Sequence, residues 1–496
     1  MKAFLLYRDQ DFDLQQPFPA NEPALTQDLE LNTLFNAMAR GDDFLFEVAK
    51  KAVLSGSNDL DTLLYRQNIL KDCLKNPALI REMYRIPITA IINKRKHWMG
   101  IYSRYPAAIL SGSIQLLEMF VGLLKNLKRL ADEHAHQFES EGFTRFFAMI
   151  KEELDDEYFA RIQYHLKELK FPYGVLISAE LGKGNEGTGY ILRKPHDNNQ
   201  SWIKQVFAKK PRTYSFSLHP RDDNGYRALR DIETRALNQV ANAVAQSADH
   251  INSFFEMLRV ELAFYIGCLN LYEQLGQMGE PVSFPLPVES YKRRHSFTGL
   301  YDVCLALTMK QKVVGNEGNA DEKDLVIITG ANQGGKSTFL RSLGLVQLMT
   351  QCGMFVPAES FCANLCNGLF THYKRKEDAS MESGKLDEEL SRMSEIVNQL
   401  RPDAMVLFNE SFAATNEREG AEIGRQITTA LLEKRIKVIF VTHLYEFARG
   451  FHAQNMENAL FLRAERRPDG SRTFKMLEAK PLETSYGKDL YKEIFE

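Results

Sequence analysis

The chain of 496 residues has little net charge, few cysteines and no low-complexity segment. A formal net charge of −3 excludes a general attraction to nucleic acid or membrane, so any polyanion must bind a local basic patch. The six cysteines are scattered, and Cys362 and Cys366 lack the CxxC spacing of a metal site. We therefore expect reduced thiols in a cytoplasmic protein without a metal cluster. The apolar stretch before Arg8 is too short for a signal peptide, and no run approaches a membrane span in length.

Apolar residues repeat at intervals of three and four over residues 26–170 and again over residues 220–278. This spacing is typical of amphipathic helices and predicts two segments of a helical core and lever region. Between them, residues 171–219 alternate apolar and polar side chains between Gly- and Asn-rich turns, which predicts a small β insertion. Residues 1–25 are polar and contain three prolines, so we expect an irregular N-terminal arm.

A Pro-rich stretch at residues 279–299 is the predicted linker to the rest of the chain. From residue 300 to 496, short apolar runs alternate with helical patterns, as in α/β domains. Here a buried-strand run precedes GANQGGKST at residues 330–338, and a helical pattern starts at Phe339. A strand, GxxxxGK[ST] and a helix together are the arrangement of a P-loop, whose backbone N–H groups bind phosphate.

The P-loop motif gives roles to individual residues. Lys336 is expected to be catalytic because it reaches the β- and γ-phosphates of ATP, and the Ser337 hydroxyl is expected to ligate Mg²⁺. The alternative, a chance Gly-rich turn, is disfavoured by the strand before the motif and the helix after it. The predicted nucleotide-binding residues of the motif are Gly330, Ala331, Asn332, Gln333, Gly334, Gly335, Lys336, Ser337 and Thr338.

Two further buried strands are predicted downstream, at residues 404–408 and 436–441. The first is followed by Asn409 and Glu410, and the second leads to His443. Because the carboxyl ends of parallel strands face one crevice, we expect Glu410 to orient or deprotonate the attacking water. His443 is expected to sense the γ-phosphate. Taken singly, Glu410 could begin a helix and His443 could cap a strand, but their joint spacing favours the catalytic interpretation.

These motifs resemble those of the MutS family of DNA mismatch-repair ATPases. The P-loop is similar to the family's GPNMGGKST, and FVPAES at residues 355–360 is similar to its FVPA segment. Residues 409–420 match the family's DE…G stretch in length, while VTH at 441–443 and SYG at 485–487 resemble its ATH and SYG. The resemblance is ordered over about residues 300–496 and implies a MutS-like α/β P-loop NTPase domain of the ABC type. Upstream, helices with a β tip fit the family's core, lever and clamp regions.

The resemblance also implies a homodimer in which a signature loop from one copy completes the nucleotide site of the other. Residues 380–390 occupy the place of that loop, with Ser383, Gly384 and Lys385 as the candidate phosphate contacts in trans. The family's usual Ser-Thr-Phe is absent, so the acidic start of a helix stays open as an alternative for this segment.

The sequence departs from the family pattern in the nucleotide site and in length. Asn409, which with Ser337 is a predicted metal ligand, replaces an aspartate. An amide can hold a Mg²⁺-bound water but lacks the full negative charge of a carboxylate. This difference predicts weaker Mg²⁺ binding or slower hydrolysis. Val313 falls where the family has an aromatic residue that stacks on adenine, so we expect looser selectivity for the base. We also expect no mismatch-recognition domain before the helical region and no extension after SYG.

Basic residues cluster in the predicted β insertion at Lys209, Lys210 and Arg212. In the resembling family this region clamps duplex DNA, and Lys or Arg contacts to phosphate bind without sequence preference and weaken with salt. A solvated charged surface is the alternative.

We therefore predict a MutS-like protein that binds and hydrolyses ATP and closes as a dimer around duplex or branched DNA without reading mismatches. The alternative is a nucleotide-switched scaffold that clamps a protein partner, with hydrolysis slow or lost through Asn409. A transporter-type ATPase is disfavoured because no membrane span is predicted and the arms belong to the same chain.

Overall fold

The computed structural model describes residues 1–98, 105–172, 174–194, 214–375 and 384–482. The α-helices in these ranges are α1 (Glu22–Asp28), α2 (Leu31–Ala39), α3 (Asp43–Leu54), α4 (Leu60–Lys75), α5 (Pro77–Trp98), α6 (Pro106–His134), α7 (Glu141–Glu153), α8 (Asp156–Glu168), α9 (Asp223–Gln277), α10 (Val303–Met309), α11 (Lys336–Gln351), α12 (Lys385–Gln399), α13 (Glu417–Glu433) and α14 (Tyr445–Ala453). The strands are β1 (Leu176–Leu181), β2 (Gly187–Arg193), β3 (Leu286–Val288), β4 (His295–Leu300), β5 (Asn316–Asn319), β6 (Leu325–Gly330), β7 (Ser360–Asn364), β8 (Leu369–Tyr373), β9 (Met405–Asn409), β10 (Lys437–Val441), β11 (Ala459–Arg466) and β12 (Arg472–Glu478).

Two compact units can be distinguished along the chain. The first, here called the helical unit, consists of Met1–Ala3, Glu82–His136 and Thr144–Arg259. The second, the sheet unit, consists of Phe4–Arg81, Gln137–Phe143 and Val260–Glu496. The units group the chain differently from the predicted segments, because residues close to the N-terminus pack with the C-terminal half.

The helical unit is built on long amphipathic helices. Apolar side chains of α6 recur at helical spacing and are buried, among them Leu117, Phe120 and Leu124. Phe120 contacts Phe255 of α9, with ring centroids 5.5 Å apart. In the predicted β insertion, β1 and β2 pair as an antiparallel hairpin.

The stretch Pro106–Gln137, which contains α6, is long and apolar enough to cross a membrane by length and composition. In its apolar 18-residue segment, 44% is buried within the protein. No other helix in the described part of the chain meets that criterion. The prediction that no run approaches a membrane span in length is therefore wrong for this helix. Buried core helices pass the same test, so the finding is weak evidence for a membrane span.

The segment before α1 lacks regular secondary structure, but a short part of it is buried in the sheet unit. Leu5 and Leu6 are 0% exposed. The Leu5 N–H donates to the Glu261 carboxylate at 2.5 Å, and the Tyr265 hydroxyl donates to the Leu5 oxygen at 2.5 Å. Arg66 Nε donates to the Leu6 oxygen at 2.8 Å. Side chains from distant helices thus satisfy the backbone groups that would otherwise be buried without partners.

Two sheets form the framework of the sheet unit. The larger has the strand order β12-β11-β6-β10-β9-β8, in which all neighbours are parallel except β11 and β12. Its central strands are fully buried and apolar except for a few residues such as Lys437, as expected for parallel strands covered on both faces. The smaller sheet has the order β3-β7-β4-β5. Residues 279–299, the predicted linker, therefore contribute β3 and most of β4 to this sheet.

Candidate nucleotide-binding site

The P-loop joins β6 to α11 at the carboxyl edge of the larger sheet. Gly330 and Gly335 have φ of +112° and +86°, in the range that favours glycine. A Cβ at Gly330 would lie 2.9 Å from the Ala464 nitrogen, and one at Gly334 would lie 2.8 Å from the Ala464 Cβ. Glycine is therefore required both by the backbone conformation and by the close approach of β11. The resulting loop leaves its backbone N–H groups at the start of a helix, where a phosphate fits.

Lys336 is the first residue of α11 and lies folded over the loop. Its Nζ donates to the main-chain oxygens of Gly330 and Ala331 at 3.1 and 3.0 Å. The side chain is 5% exposed, and this burial lowers the pKa of Lys336 to about 8, although the Glu410 carboxylate acts in the opposite direction. A bound triphosphate would bring negative charge to this buried ammonium group, so the residue fits an anionic ligand.

The two predicted metal ligands lie next to each other. The Ser337 hydroxyl donates to Asn409 Oδ1 at 2.9 Å. Asn409 ends β9, two strands away from β6, so the parallel sheet brings the pair together. Two oxygen atoms at this position suit Mg²⁺, which takes oxygen ligands. The residues fit the ion, but the amide supplies no formal negative charge.

Glu410 and His443 also lie together, at the ends of neighbouring strands. His443 Nε2 is 2.7 Å from Glu410 Oε1, and the Glu410 N–H donates to the Val441 oxygen at 2.9 Å. The hydrogen bond from His443 lowers the pKa of Glu410, while partial burial opposes that shift. Glu410 is therefore held as a carboxylate, the form that can accept a proton from water.

A cavity of ≈ 560 Å³ opens over the P-loop, and Glu410 is among the residues that line it. Its other wall is largely apolar and includes Met309, Val313 and Phe474. The Val313 N–H donates to Glu280 Oε1 at 2.7 Å. The size and mixed lining suit a nucleotide whose base lies on the apolar wall and whose phosphates lie on the loop.

Two residues of β12 that the sequence motifs do not predict also belong to this site. Arg472 Nε donates to the Asn332 oxygen of the P-loop at 2.7 Å. Phe474 is 48% exposed, lines the cavity and lies close to Gly335, where a Cβ would be 3.4 Å from its ring. It offers the aromatic surface that Val313 lacks. No local motif marks either residue, because their closeness to the P-loop arises from the pairing of β11 with β6 and β12.

The remaining predicted site residues lie elsewhere or outside the described ranges. Gly384 directly precedes α12 and Lys385 begins it, and neither is among the described residues that line the cavity. Asp387 and Glu388 occupy the first turn of α12, so the segment has an acidic helix start, one residue earlier than the pair Glu388 and Glu389 that this alternative predicts. Ser383, SYG at 485–487 and the basic residues lie outside the described residues, the last being Lys209, Lys210 and Arg212.

Comparison with known proteins gives two family matches. Residues 58–278 match the MutS2 N-terminal domain, and residues 326–494 match MutS domain V. Similar curated proteins include the DNA mismatch repair protein MutS of Prochlorococcus marinus strain MIT 9301, 25% identical over 334 residues, which are 65% of this chain and 34% of that protein. The protein of the same name from Thermotoga sp. strain RQ2 is 30% identical over 212 residues, 42% of this chain and 26% of the relative. The chain thus spans no more than about a third of the length of these relatives.

Proposed function

Because the chain belongs to the MutS family, we propose that it binds ATP with Mg²⁺ at residues 330–338 and hydrolyses it with Glu410 as the base. One observation supports the proposal: Lys336, Ser337 and Glu410 line one cavity, with Asn409 in contact with Ser337 and His443 in contact with Glu410. The Glu410–His443 pair suits the activation of water, which a site used only for binding would not need.

The proposed chemistry divides among these residues. The N–H groups of the P-loop and the Lys336 ammonium group bind the phosphates and stabilise the charge that develops on them. Ser337 and Asn409 would hold Mg²⁺, which neutralises phosphate charge when it is bound. The Glu410 carboxylate orients a water molecule and accepts its proton. His443, 2.7 Å from that carboxylate, keeps it ionised and aimed into the cavity.

We extend the proposal to a cytoplasmic homodimer that closes on duplex or branched DNA when ATP binds. Family membership and the resemblance to the signature loop support the dimer, in which Ser383, Gly384 and Lys385 would meet the partner's phosphates. The relatives are DNA mismatch repair proteins, which supports DNA as the partner. Asn409 favours a second candidate, the nucleotide-switched scaffold with slow hydrolysis, because it lacks the charge that would tighten Mg²⁺.

Two substitutions test the ATPase proposal by separating binding from chemistry. Lys336→Ala should weaken ATP binding, because it removes the buried cation over the loop. Glu410→Gln should leave ATP binding within a factor of about two while lowering kcat on the order of 100-fold, the usual contribution of a general base. Binding is measured with a fluorescent ATP analogue and turnover by phosphate release.

Lys434→Ala, at an exposed position after α13, serves as the control and should change neither quantity. Unchanged phosphate release by the Glu410→Gln protein would refute Glu410 as the base. An ATP affinity unaffected by Lys336→Ala would refute the binding site itself.

A further inference from the structure

The turn that carries Glu410 has an unusual backbone. Glu410 and Phe412 have φ of +55° and +62°, although neither is glycine. Ser411, between them, is 0% exposed. Side chains with a Cβ rarely adopt this conformation, and two such residues in one short turn persist only where the surroundings hold them. The direction of the Glu410 side chain therefore depends on whatever fixes this turn.

His372 of β8 holds one side of the turn. The Ser411 hydroxyl lies 2.7 Å from His372 Nδ1 and 2.6 Å from the main-chain oxygen of His372, so its single proton faces two acceptors when the ring is neutral. The rings of His372 and Phe412 are stacked, with centroids 5.2 Å apart and planes 21° from parallel. His372 is 0% exposed, and its burial lowers its pKa to about 4, so the ring is neutral at physiological pH.

Glu389 of α12 holds the other side. Its Oε2 accepts a hydrogen bond from the Phe412 N–H at 2.7 Å. Its main-chain oxygen accepts one from His372 Nε2 at 2.9 Å. Glu389 is 3% exposed, so these bonds form where water does not compete for them. One residue of α12 thus contacts both the turn and the histidine that supports it.

We propose that His372 and Glu389 are positioning residues for Glu410, and that the start of α12 acts on this carboxylate through Glu389. The inference rests on the proposed role of Glu410 as the base. Glu389 lies one turn beyond Lys385, the first residue of α12, and Gly384 precedes that helix directly. A displacement of the first turn of α12 would therefore move the acceptor of the Phe412 N–H, two residues from Glu410. A ligand that contacts Gly384 or Lys385 would thus change the position of Glu410, and with it the orientation of the reacting water.

The test compares Glu389→Met with Glu389→Gln. Methionine keeps the volume but removes the acceptor for the Phe412 N–H, whereas glutamine keeps an acceptor oxygen. We expect the methionine variant to lose about 10- to 100-fold in kcat with KM and ATP affinity unchanged, the cost of a small misplacement of a catalytic group. The glutamine variant should recover most of that loss. Rates are normalised to the number of ATP-binding sites, so that loss of folded protein does not count as loss of kcat.

Glu395→Met, at an exposed position of α12, is the matched control and should retain the full rate. Ser411→Ala removes one buried hydroxyl and provides a second, smaller perturbation, which should also lower kcat without changing ATP affinity. A normal kcat per site in both the Glu389→Met and Ser411→Ala proteins would overturn the inference.

A double variant distinguishes this inference from the proposed function. If Glu389 acts through Glu410, adding Glu389→Met to Glu410→Gln should cause no further loss of the residual rate. Full additivity of the two effects would overturn the positioning role while leaving Glu410 as the base. A normal rate in Glu410→Gln alone would instead refute the proposed function.

Discussion

Asn409 is the residue at which this site differs most in charge from what the family resemblance implies. Its amide oxygen accepts from the Ser337 hydroxyl at 2.9 Å, so the two proposed Mg²⁺ ligands lie next to each other. A carboxylate in the same position would add a full negative charge beside the ion. The electrostatic contribution to Mg²⁺ binding is thus separable from the geometric one.

Asn409→Asp tests this separation. We expect the aspartate variant to reach half its maximal ATPase rate at a Mg²⁺ concentration lower by about tenfold, since one added charge is worth about 1.4 kcal/mol or more in a partly buried site. The measurement is phosphate release against Mg²⁺ concentration at saturating ATP. Identical Mg²⁺ dependence in the two proteins would show that charge at this position does not limit metal binding.

The sequence alone predicted the residues that belong to local motifs. Lys336, Ser337 and Glu410 follow buried strands whose apolar runs are readable, and parallel strands bring their ends to one edge. Phe474 and Glu389 could not be predicted in this way. They reach the site only through strand pairing and helix packing, and nothing in their immediate sequence marks them.

At the scale of secondary-structure elements, β10 begins with a buried cation. Lys437 is 1% exposed, and its Nζ has no hydrogen-bond partner among the described residues. Burial, and then the nearby Arg293 cation, lowers the pKa of Lys437 to about 7 from the usual 10.5. The pKa of His295, in the smaller sheet, is also lowered, first by burial and second by the Lys437 cation. Between about pH 7 and 10.5 the unfolded chain therefore holds more protons than the folded one, and stability rises with pH over this range.

Lys437→Met should remove this dependence. We expect the variant to unfold at a higher temperature than the parent protein at pH 7 and below, because the cost of burying a charge is gone. The gain should shrink towards pH 10, where the folded parent already carries a neutral amine. Thermal unfolding followed across this pH range checks the expectation, with the exposed Lys434→Met as the control. A gain that stayed constant with pH would contradict it.

The boundaries of helices and strands were predictable only where a local sequence signal marks them. The start of α4 has a local signal, because Asp59 is a preferred N-cap residue and its carboxylate accepts from the Thr62 N–H at 3.0 Å. Residues 279–299 contain prolines that suggested a linker, yet they supply strands to the smaller sheet. Proline is tolerated at the edge of a sheet, and β3 is an edge strand, so its composition did not distinguish the two outcomes.

At the scale of the whole molecule, the grouping of the chain into units was the least predictable feature. Residues Phe4–Arg81 pack with Val260–Glu496, although helical periodicity continues without a break in composition beyond residue 81. Periodicity reports which face of a helix is buried but not which partner buries it. The burial of Leu5 by Glu261 and Tyr265 illustrates the point, because the contacting residues are more than 250 positions apart.

DNA binding is the activity that we expect of the whole molecule. We expect the full chain to bind duplex or branched DNA at low salt and to respond to ATP. Lys209→Ala, Lys210→Ala and Arg212→Ala combined should weaken binding and reduce the slope of log affinity against log salt by about 2 to 3, as three lost phosphate contacts imply. ATPase activity without DNA should not change. Absence of binding at low salt, with and without ATP, would instead support the protein-clamping scaffold.

The close approach of β11 to the P-loop also affects how the site tolerates mutation. Ala464 limits both glycines: its main-chain nitrogen lies 2.9 Å from where a Cβ at Gly330 would be, and its own Cβ lies 2.8 Å from where one at Gly334 would be. The residues allowed at these three positions therefore depend on one another. A larger residue at position 464 would displace the phosphate loop, as a mutation within the loop would. Ala464 has no functional group and lies more than 100 positions from the motif, yet selection for an intact nucleotide site would also act on it.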